Sequence, residues 1–312
     1  MDKFASGSKA RTWLMGAVLA VALAGCSPDD GIFGGRPGTP APPGTPGLPG
    51  TPGPAGPAPN LGAAAAFGGF GGGAGMTNSG TFTVITGAQG QPVSIGTTGA
   101  STTLTGFHSA TPGCIYTETG LNIGAVNGTI NTAPPPPDVA CPTEGTAATF
   151  AAAQAAANDA LAAFIDLSPA ARPGATDPGA NLGGLTLAPG IYATAGGAFL
   201  LTGSDLTLDA GGNPDAVWIF QMASTLTVGA AGAPRSVILA GGAQPKNVFW
   251  QVGSSATING AGGGTMVGTI ISSAATTFST AGNPCCTTLN GRALALNASV
   301  TMVNTVINVP AP

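Results

Sequence analysis

The residues that usually carry chemistry are few in this chain and stand apart. Its one histidine, His108, follows Phe107 and has no serine, cysteine or aspartate at a spacing that would make a nucleophile and base pair. Asp205, Asp209 and Asp215 occur singly in turn contexts, which suits turn formation better than the clustered carboxylates that cut glycosidic bonds. The run Gly71 to Gly75 lacks the strand, spacing and lysine of a phosphate-cradling loop. No enzyme and no cofactor is therefore expected. Beyond Cys26 there are four thiols, Cys114, Cys141, Cys285 and Cys286, which allow three disulfide connectivities in an exported protein. Cys114 with Cys141 is the favoured pair, because the two bracket the insert Pro134 to Pro137; Cys285 and Cys286 could bridge each other or pair elsewhere. With no C-x-x-C pair and one histidine, a metal site is not expected.

What remains is the chemistry of hydroxyls and methyls. In Ser224-Thr-Leu-Thr-Val228, Leu226 and Val228 alternate with Thr225 and Thr227, so inward leucine and valine put both threonines outside. Thr257 with Asn259, and Thr277 with Ser279, repeat the pattern, while Ser299 with Thr301 ends the expected stack and Thr202 is placed above it. Rungs ~4.8 Å apart would line these groups into rows without charge.

The elements that would hold such rows show a cycle. Val217-Trp-Ile-Phe-Gln221 and Val248-Phe-Trp-Gln251 start 31 residues apart, and each precedes a threonine-bearing strand. Ser236-Val-Ile-Leu239 adds an aliphatic strand to the first cycle. An aromatic, a threonine and an aliphatic strand per cycle read as one coil of a three-faced β-solenoid. The segment from 145 to 167 breaks the pattern: it is alanine-rich, has no β-branched run, and spaces Phe150, Ala153, Ala157, Leu161 and Phe164 at three and four residues. It is expected to form a helix ended by Pro169 and Pro173. The aromatic strands are apolar on both sides, so the helix is expected to cover their outer side.

Residues 1–26 read as an export signal: Lys3, Lys9 and Arg11, an apolar run from Trp13 to Ala22, then Leu23-Ala-Gly-Cys26, which matches the bacterial lipobox with Cys26 lipidated. Ser27 in place of aspartate favours an outer-membrane or cell-surface location. Residues 27–59 contain a collagen-like Gly-X-Y run too short to form a triple helix, read as a polyproline II spacer, and residues 60–312 form one domain, expected to be monomeric. The net charge is −4; loss of residues 1–26 leaves 5 basic against 11 acidic residues, a net −6, so nucleic acid is not an expected partner.

The stretches Leu182-Gly-Gly-Leu-Thr-Leu-Ala-Pro-Gly-Ile-Tyr192, Ala216-Val-Trp-Ile-Phe-Gln221, Ala243-Gln-Pro-Lys-Asn-Val-Phe-Trp-Gln-Val-Gly253 and Asn290-Gly-Arg-Ala-Leu294 resemble the ice-binding-like family also called DUF3494, and Thr77-Asn-Ser-Gly80 resembles its opening signature. The resemblance implies a mainly β fold, a right-handed, discontinuous three-faced β-solenoid with one long α-helix along its aromatic face. It implies ice as the partner, met by a flat threonine face, and Thr280-Ala-Gly-Asn283 matches the family's T-A-x-N spacing. An alternative reading is an adhesive or structural surface solenoid binding glycans or cells; a polysaccharide-active enzyme is a third.

Overall fold

A computed structural model describes residues 55–260, 262–279 and 285–311. The expected signal, Cys26, most of the spacer, Thr280 and Asn283 lie outside the described residues. Nearly every strand pairs in parallel with strands of the rungs before and after it, and the strands stack in three ladders.

The first ladder runs through Gly190–Ala193, Trp218–Met222 and Val248–Val252, then the second halves of Thr265–Ser272 and Thr287–Ala295. It continues into Phe67–Gly71, Ser94–Ala100 and Ile130–Ala133. The second ladder is Phe199–Leu201, Leu226–Val228, Ala256–Asn259, Thr276–Ser279 and Val300–Met302, then Met76–Asn78 and Leu104–Thr105. The third begins with Thr186–Leu187, Leu206–Asp209 and Val237–Ala240. It resumes in the first halves of Thr265–Ser272 and Thr287–Ala295, then Thr305–Val309, Thr83–Gly87 and Gly124–Val126. Two strands thus serve two ladders. They turn the corner at Gly268, whose φ of +98° suits glycine, and at its register partner Gly291, where a Cβ would strike the Gly268 carbonyl.

Space and sequence disagree at one place. Thr305–Val309, near the C-terminus, pairs with Thr83–Gly87, so the first 70 or so described residues add rungs beyond the C-terminal coil. The winding is discontinuous, as the resemblance implies.

Coil size and core residue change together. In the first ladder Tyr192, Phe220, Trp250, Ile270 and Ala293 share one register line, all buried. The chain travels 30 residues from Phe220 to Trp250 but 20 from Trp250 to Ile270 and 23 from Ile270 to Ala293, and the line is aromatic in the long coils and aliphatic in the short ones. In the wide coils the rings stack: Phe220 on Trp250 at 4.0 Å and Tyr192 on Phe220 at 5.5 Å between centroids. Their polar atoms are met, since Trp250 Nε1 donates to the Val267 carbonyl and the Tyr192 hydroxyl to that of Ala188.

The helix Ala147–Asp166 covers the outer side of the first ladder. Thr146 caps it, its hydroxyl accepting from the Thr149 amide while the Thr149 hydroxyl accepts from the Thr146 amide. The Thr149 hydroxyl also donates to the Thr132 carbonyl, and at the far end Gln221 Nε2 donates to the carbonyls of Leu167 and Arg172. The two tethered strands lie six rung spacings apart, about 29 Å, and 20 helical residues rise about 30 Å. The expected buried face differs in detail. Ala153, Ala156, Ala160 and Ala163 are buried, whereas Leu161 is 47% exposed. The ladder supplies the bulk, with Ile191, Ile219, Phe249, Ile271, Leu294 and Phe70, and only alanines leave room for it.

Ala160→Leu should therefore overpack this seam and cost about 1–3 kcal/mol. Leu161→Ala should change stability by less than about 0.5 kcal/mol. Denaturant unfolding of the two variants checks the order; equal losses would contradict the packing described.

Candidate functional site

Along the second ladder every rung places apolar or otherwise buried residues inside. Leu226 and Val228, Ala256 and Ile258, Thr276 and Phe278, Val300 and Met302, and Met76 and Asn78 are all buried. The residue between them must then point outward. Register makes these outward residues one line: Thr227, Thr257, Thr277, Thr301, Thr77 and Thr105, on six successive rungs. All six are half-exposed, and none of their hydroxyls forms a hydrogen bond with another described residue. Buried threonine hydroxyls elsewhere divide: those of Thr83, Thr97 and Thr149 have a protein partner, while those of Thr132, Thr269 and Thr287 have none. Five rung spacings make the line about 24 Å long.

Two lines of small residues flank it. On the strand-entry side lie Thr225, Ser255, Ala275 and Ser299, which follow one another by backbone hydrogen bonds from the succeeding residue. At Gly75 this side comes so close to the next rung that a Cβ would strike the Thr103 carbonyl. On the exit side lie Asn259 and Ser279, in register, with the Ser279 hydroxyl donating to the Asn259 side chain. The ladder and its flanks carry no charged residue.

The expected pairs on each rung therefore divide. Thr227, Thr257, Thr277 and Thr301 share the central line, Thr225 and Ser299 one flank, Asn259 and Ser279 the other. Thr202 follows Leu201 as Asn259 follows Ile258, on the exit side rather than the central line, where that rung places Leu200, 40% exposed and in register with Thr227. One expectation is corrected: the stack does not end at Ser299 and Thr301, because Thr77 and Thr105 extend it across the chain discontinuity. Alternation in Met76-Thr77-Asn78 could have pointed to Thr77, but strands of two and three residues carry little periodic signal.

Elsewhere the groups with chemical potential are tied down. Cys114 and Cys141 are bridged, and so are Cys285 and Cys286. Glu144 lies within metal-ligand reach of the first pair, but disulfide sulfurs offer no thiolate. Its carboxylate instead accepts from the Tyr116 hydroxyl at 2.8 Å, and burial together with the Glu144 charge pushes the Tyr116 pKa far up. His108, read from the sequence as partnerless, meets Glu118 at 2.7 Å; Glu118 also accepts from the Gly124 amide, so the pair clips the cap of the coil. Asp209 accepts the Gly211 amide two residues on, as turn formers do, whereas Asp205 accepts the Ser236 amide 31 residues on and so ties two coils together rather than forming a turn.

The profile of the family described as Ice-binding-like matches residues 70–308. The chain belongs to this ice-binding-like family. A 125-residue segment is 46% identical to an ice-binding protein of Nostoc sp. (strain HG1), covering 40% of this chain and 42% of that protein. A 126-residue segment is 35% identical to an ice-binding protein of Flavobacterium frigoris (strain PS1), covering 40% and 41%. The matched segments thus span less than half of these relatives. Among solved structures, the DUF3494 domain of Shewanella frigidimarina ice-binding protein 1 superposes with a TM-score of 0.63 at 26% identity, over 80% of this chain and 97% of that one. An ice-binding protein from the Antarctic ascomycete Antarctomyces psychrotrophicus gives 0.58 at 28%, over 82% and 100%.

Within this ice-binding-like fold the Cys114–Cys141 bridge closes 27 residues of the cap beyond the last threonine rung. Replacing both cysteines by alanine should cost about 3–4 kcal/mol. Denaturant unfolding measures the loss; a change below about 1 kcal/mol would show that the bridge does not constrain the unfolded chain as that relation requires.

Proposed function

We propose that the chain binds ice through the second ladder, with Thr227, Thr257, Thr277, Thr301, Thr77 and Thr105 as the central contact line. Thr225, Ser299, Asn259 and Ser279 extend the contact on either side. The observation that carries this reading is the unbroken threonine register with its unused hydroxyls and no charge nearby. Each threonine offers a methyl that leaves water in a cage-like arrangement and a hydroxyl that anchors one water of it. Repetition at the rung spacing converts single anchors into a lattice of them. A charge would instead orient water radially and break that order. Weak contacts repeated on one rigid body act together, so the whole line holds far better than one rung. The right-handed twist of β-strands favours right-handed crossovers between parallel strands, which supports reading the coil as a right-handed, three-faced solenoid.

The face needs no catalytic group, and the protein is read as non-enzymatic. Among the described residues no helix is long and apolar enough to cross a membrane. The lipobox ending at Cys26 supports tethering by acyl chains at an outer-membrane or cell surface, where the domain would hold ice against the cell or restrain its recrystallisation.

Thr257→Tyr and Thr277→Tyr place a bulky ring in mid-line and should abolish crystal shaping and the gap between melting and freezing points. Thr207→Tyr, on the third ladder, should leave both intact. Osmometry on single crystals distinguishes them, and equal activity in all three proteins would refute the assignment of the face. Leu200→Thr adds a seventh threonine rung and should keep or raise activity. Separately, Cys26→Ser should move the protein from the membrane fraction to the soluble exported fraction; unchanged partition would remove the anchor.

A further inference from the structure

A buried carboxylate stands beside the disulfide of the cap. Glu144 is 1% exposed and forms no ion pair with any described residue. One of its oxygens, Oε2, accepts from the Tyr116 hydroxyl, while the other, Oε1, is buried without a hydrogen-bond partner. A carboxylate kept from water is costly unless a cation or enough donors meet it. Two atoms with metal-ligand chemistry lie beside it: Cys114 Sγ, Cys141 Sγ and a Glu144 carboxylate oxygen are all within 4.8 Å of one another.

Local hydrogen bonds hold these residues apart from the bridge itself. The Cys114 amide donates to the Thr111 carbonyl and the Ser109 amide to the Cys114 carbonyl, while the Cys141 amide donates to the Asp138 carbonyl. Tyr116, which binds Glu144, is strand-paired with Phe107. Opening the sulfur–sulfur bond therefore leaves three anionic donors within reach of one ion. A tetrahedral zinc site has ligand-to-ligand edges of roughly 3.5–3.8 Å, which rotation of the two cysteine side chains about Cα–Cβ can supply. Two thiolates and a carboxylate suit a borderline or soft divalent ion such as Zn²⁺ or Cd²⁺ and not Mg²⁺ or Ca²⁺. The charge of such an ion would also answer the carboxylate that the bridged form leaves unmatched. Exposed Gly113, Pro142 and Thr143 adjoin the cysteines, so a single turn separates the site from solvent.

We propose that the reduced cap binds a zinc-like divalent ion through Cys114 Sγ, Cys141 Sγ and the Glu144 carboxylate, with one position left to water. A dithiol reductant gives two electrons and two protons to the bridge and leaves as its own cyclic disulfide. The incoming ion then displaces both thiol protons to solvent and takes the sulfurs as thiolates. The cap is thus stapled in either redox state, by a sulfur–sulfur bond or by the ion. No ligand lies on the threonine ladder, so the site stands apart from the ice reading.

The full chain carrying Cys26→Ser, Cys285→Ser and Cys286→Ser keeps only the two thiols in question. Reduced with dithiothreitol, freed of it under nitrogen and titrated with Cd²⁺, it should gain a near-ultraviolet thiolate-to-cadmium band that saturates at one ion per chain. Zn²⁺ should remove the band by displacement and raise the melting temperature of the reduced protein, whereas Mg²⁺ should do neither. The oxidised protein should show no band. Glu144→Gln, which can still accept from Tyr116, should weaken binding by about 10-fold or more. Cys141→Ser, which leaves one thiolate, should abolish saturable binding and keeps the test available if Glu144→Gln misfolds. Thr227→Tyr should leave the titration unchanged. Equal binding by Glu144→Gln or by Cys141→Ser, equal binding by the oxidised protein, or no saturable band after reduction would each overturn the proposal.

Discussion

The threonine line depends on one junction, the pairing of Thr305–Val309 with Thr83–Gly87. Four of its threonines come from the C-terminal coils and two, Thr77 and Thr105, from residues more than 120 positions earlier. Side chains alternate along a strand, so a one-residue slip at the junction would turn Thr77 into the core and bring Met76 out. The slip is opposed because Met76, Ile85 and Leu104 would all leave a dry interior together. Hydrogen bonds add to this: the Thr83 hydroxyl donates to the Asn78 side chain and accepts from the Thr305 amide, joining the two parts of the chain at one point. The order of an outward surface is thus imposed by inward packing and by a polar clasp at the junction.

The helix does the same for the ladder that carries no threonine line. A parallel ladder apolar on both sides cannot face water, and the covering element must reach every rung it protects. The agreement between helix rise and the span of the tethered rungs, both near 30 Å, says why a 20-residue helix is present rather than two short ones. Alanine on its inner face is the counterpart of isoleucine, leucine and phenylalanine on the ladder. Its low β-branched content gives helix propensity without side-chain bulk.

Most of the architecture was legible because it rests on short-range alternation. The repeats around Trp218 and Trp250, the threonine strands after them and the alanine helix follow from periodicity in one stretch of chain. What escaped depends on partners far away in sequence. Thr105 lies on a two-residue strand whose place is set by Met76–Asn78, and Leu200 takes the outward position because Phe199 and Leu201 fill the core beside Leu226 and Val228. The buried helix face was misjudged at Leu161 for a related reason. Periodicity finds the apolar stripe, but the bulk of the opposing ladder decides which part of it fits. The partner of His108 was hidden ten residues away because the clip forms only where the cap folds back.

The scarcity of charge shapes both the threonine face and the turns beside it. Around the threonine line the absence of charge is what leaves hydroxyls and methyls to order water by their spacing. With little charge to pay for structure, turns rely on single aspartates that accept amides, as Asp177 and Asp209 do, and on glycine at positive φ. Such turns bring no long side chain over the neighbouring faces.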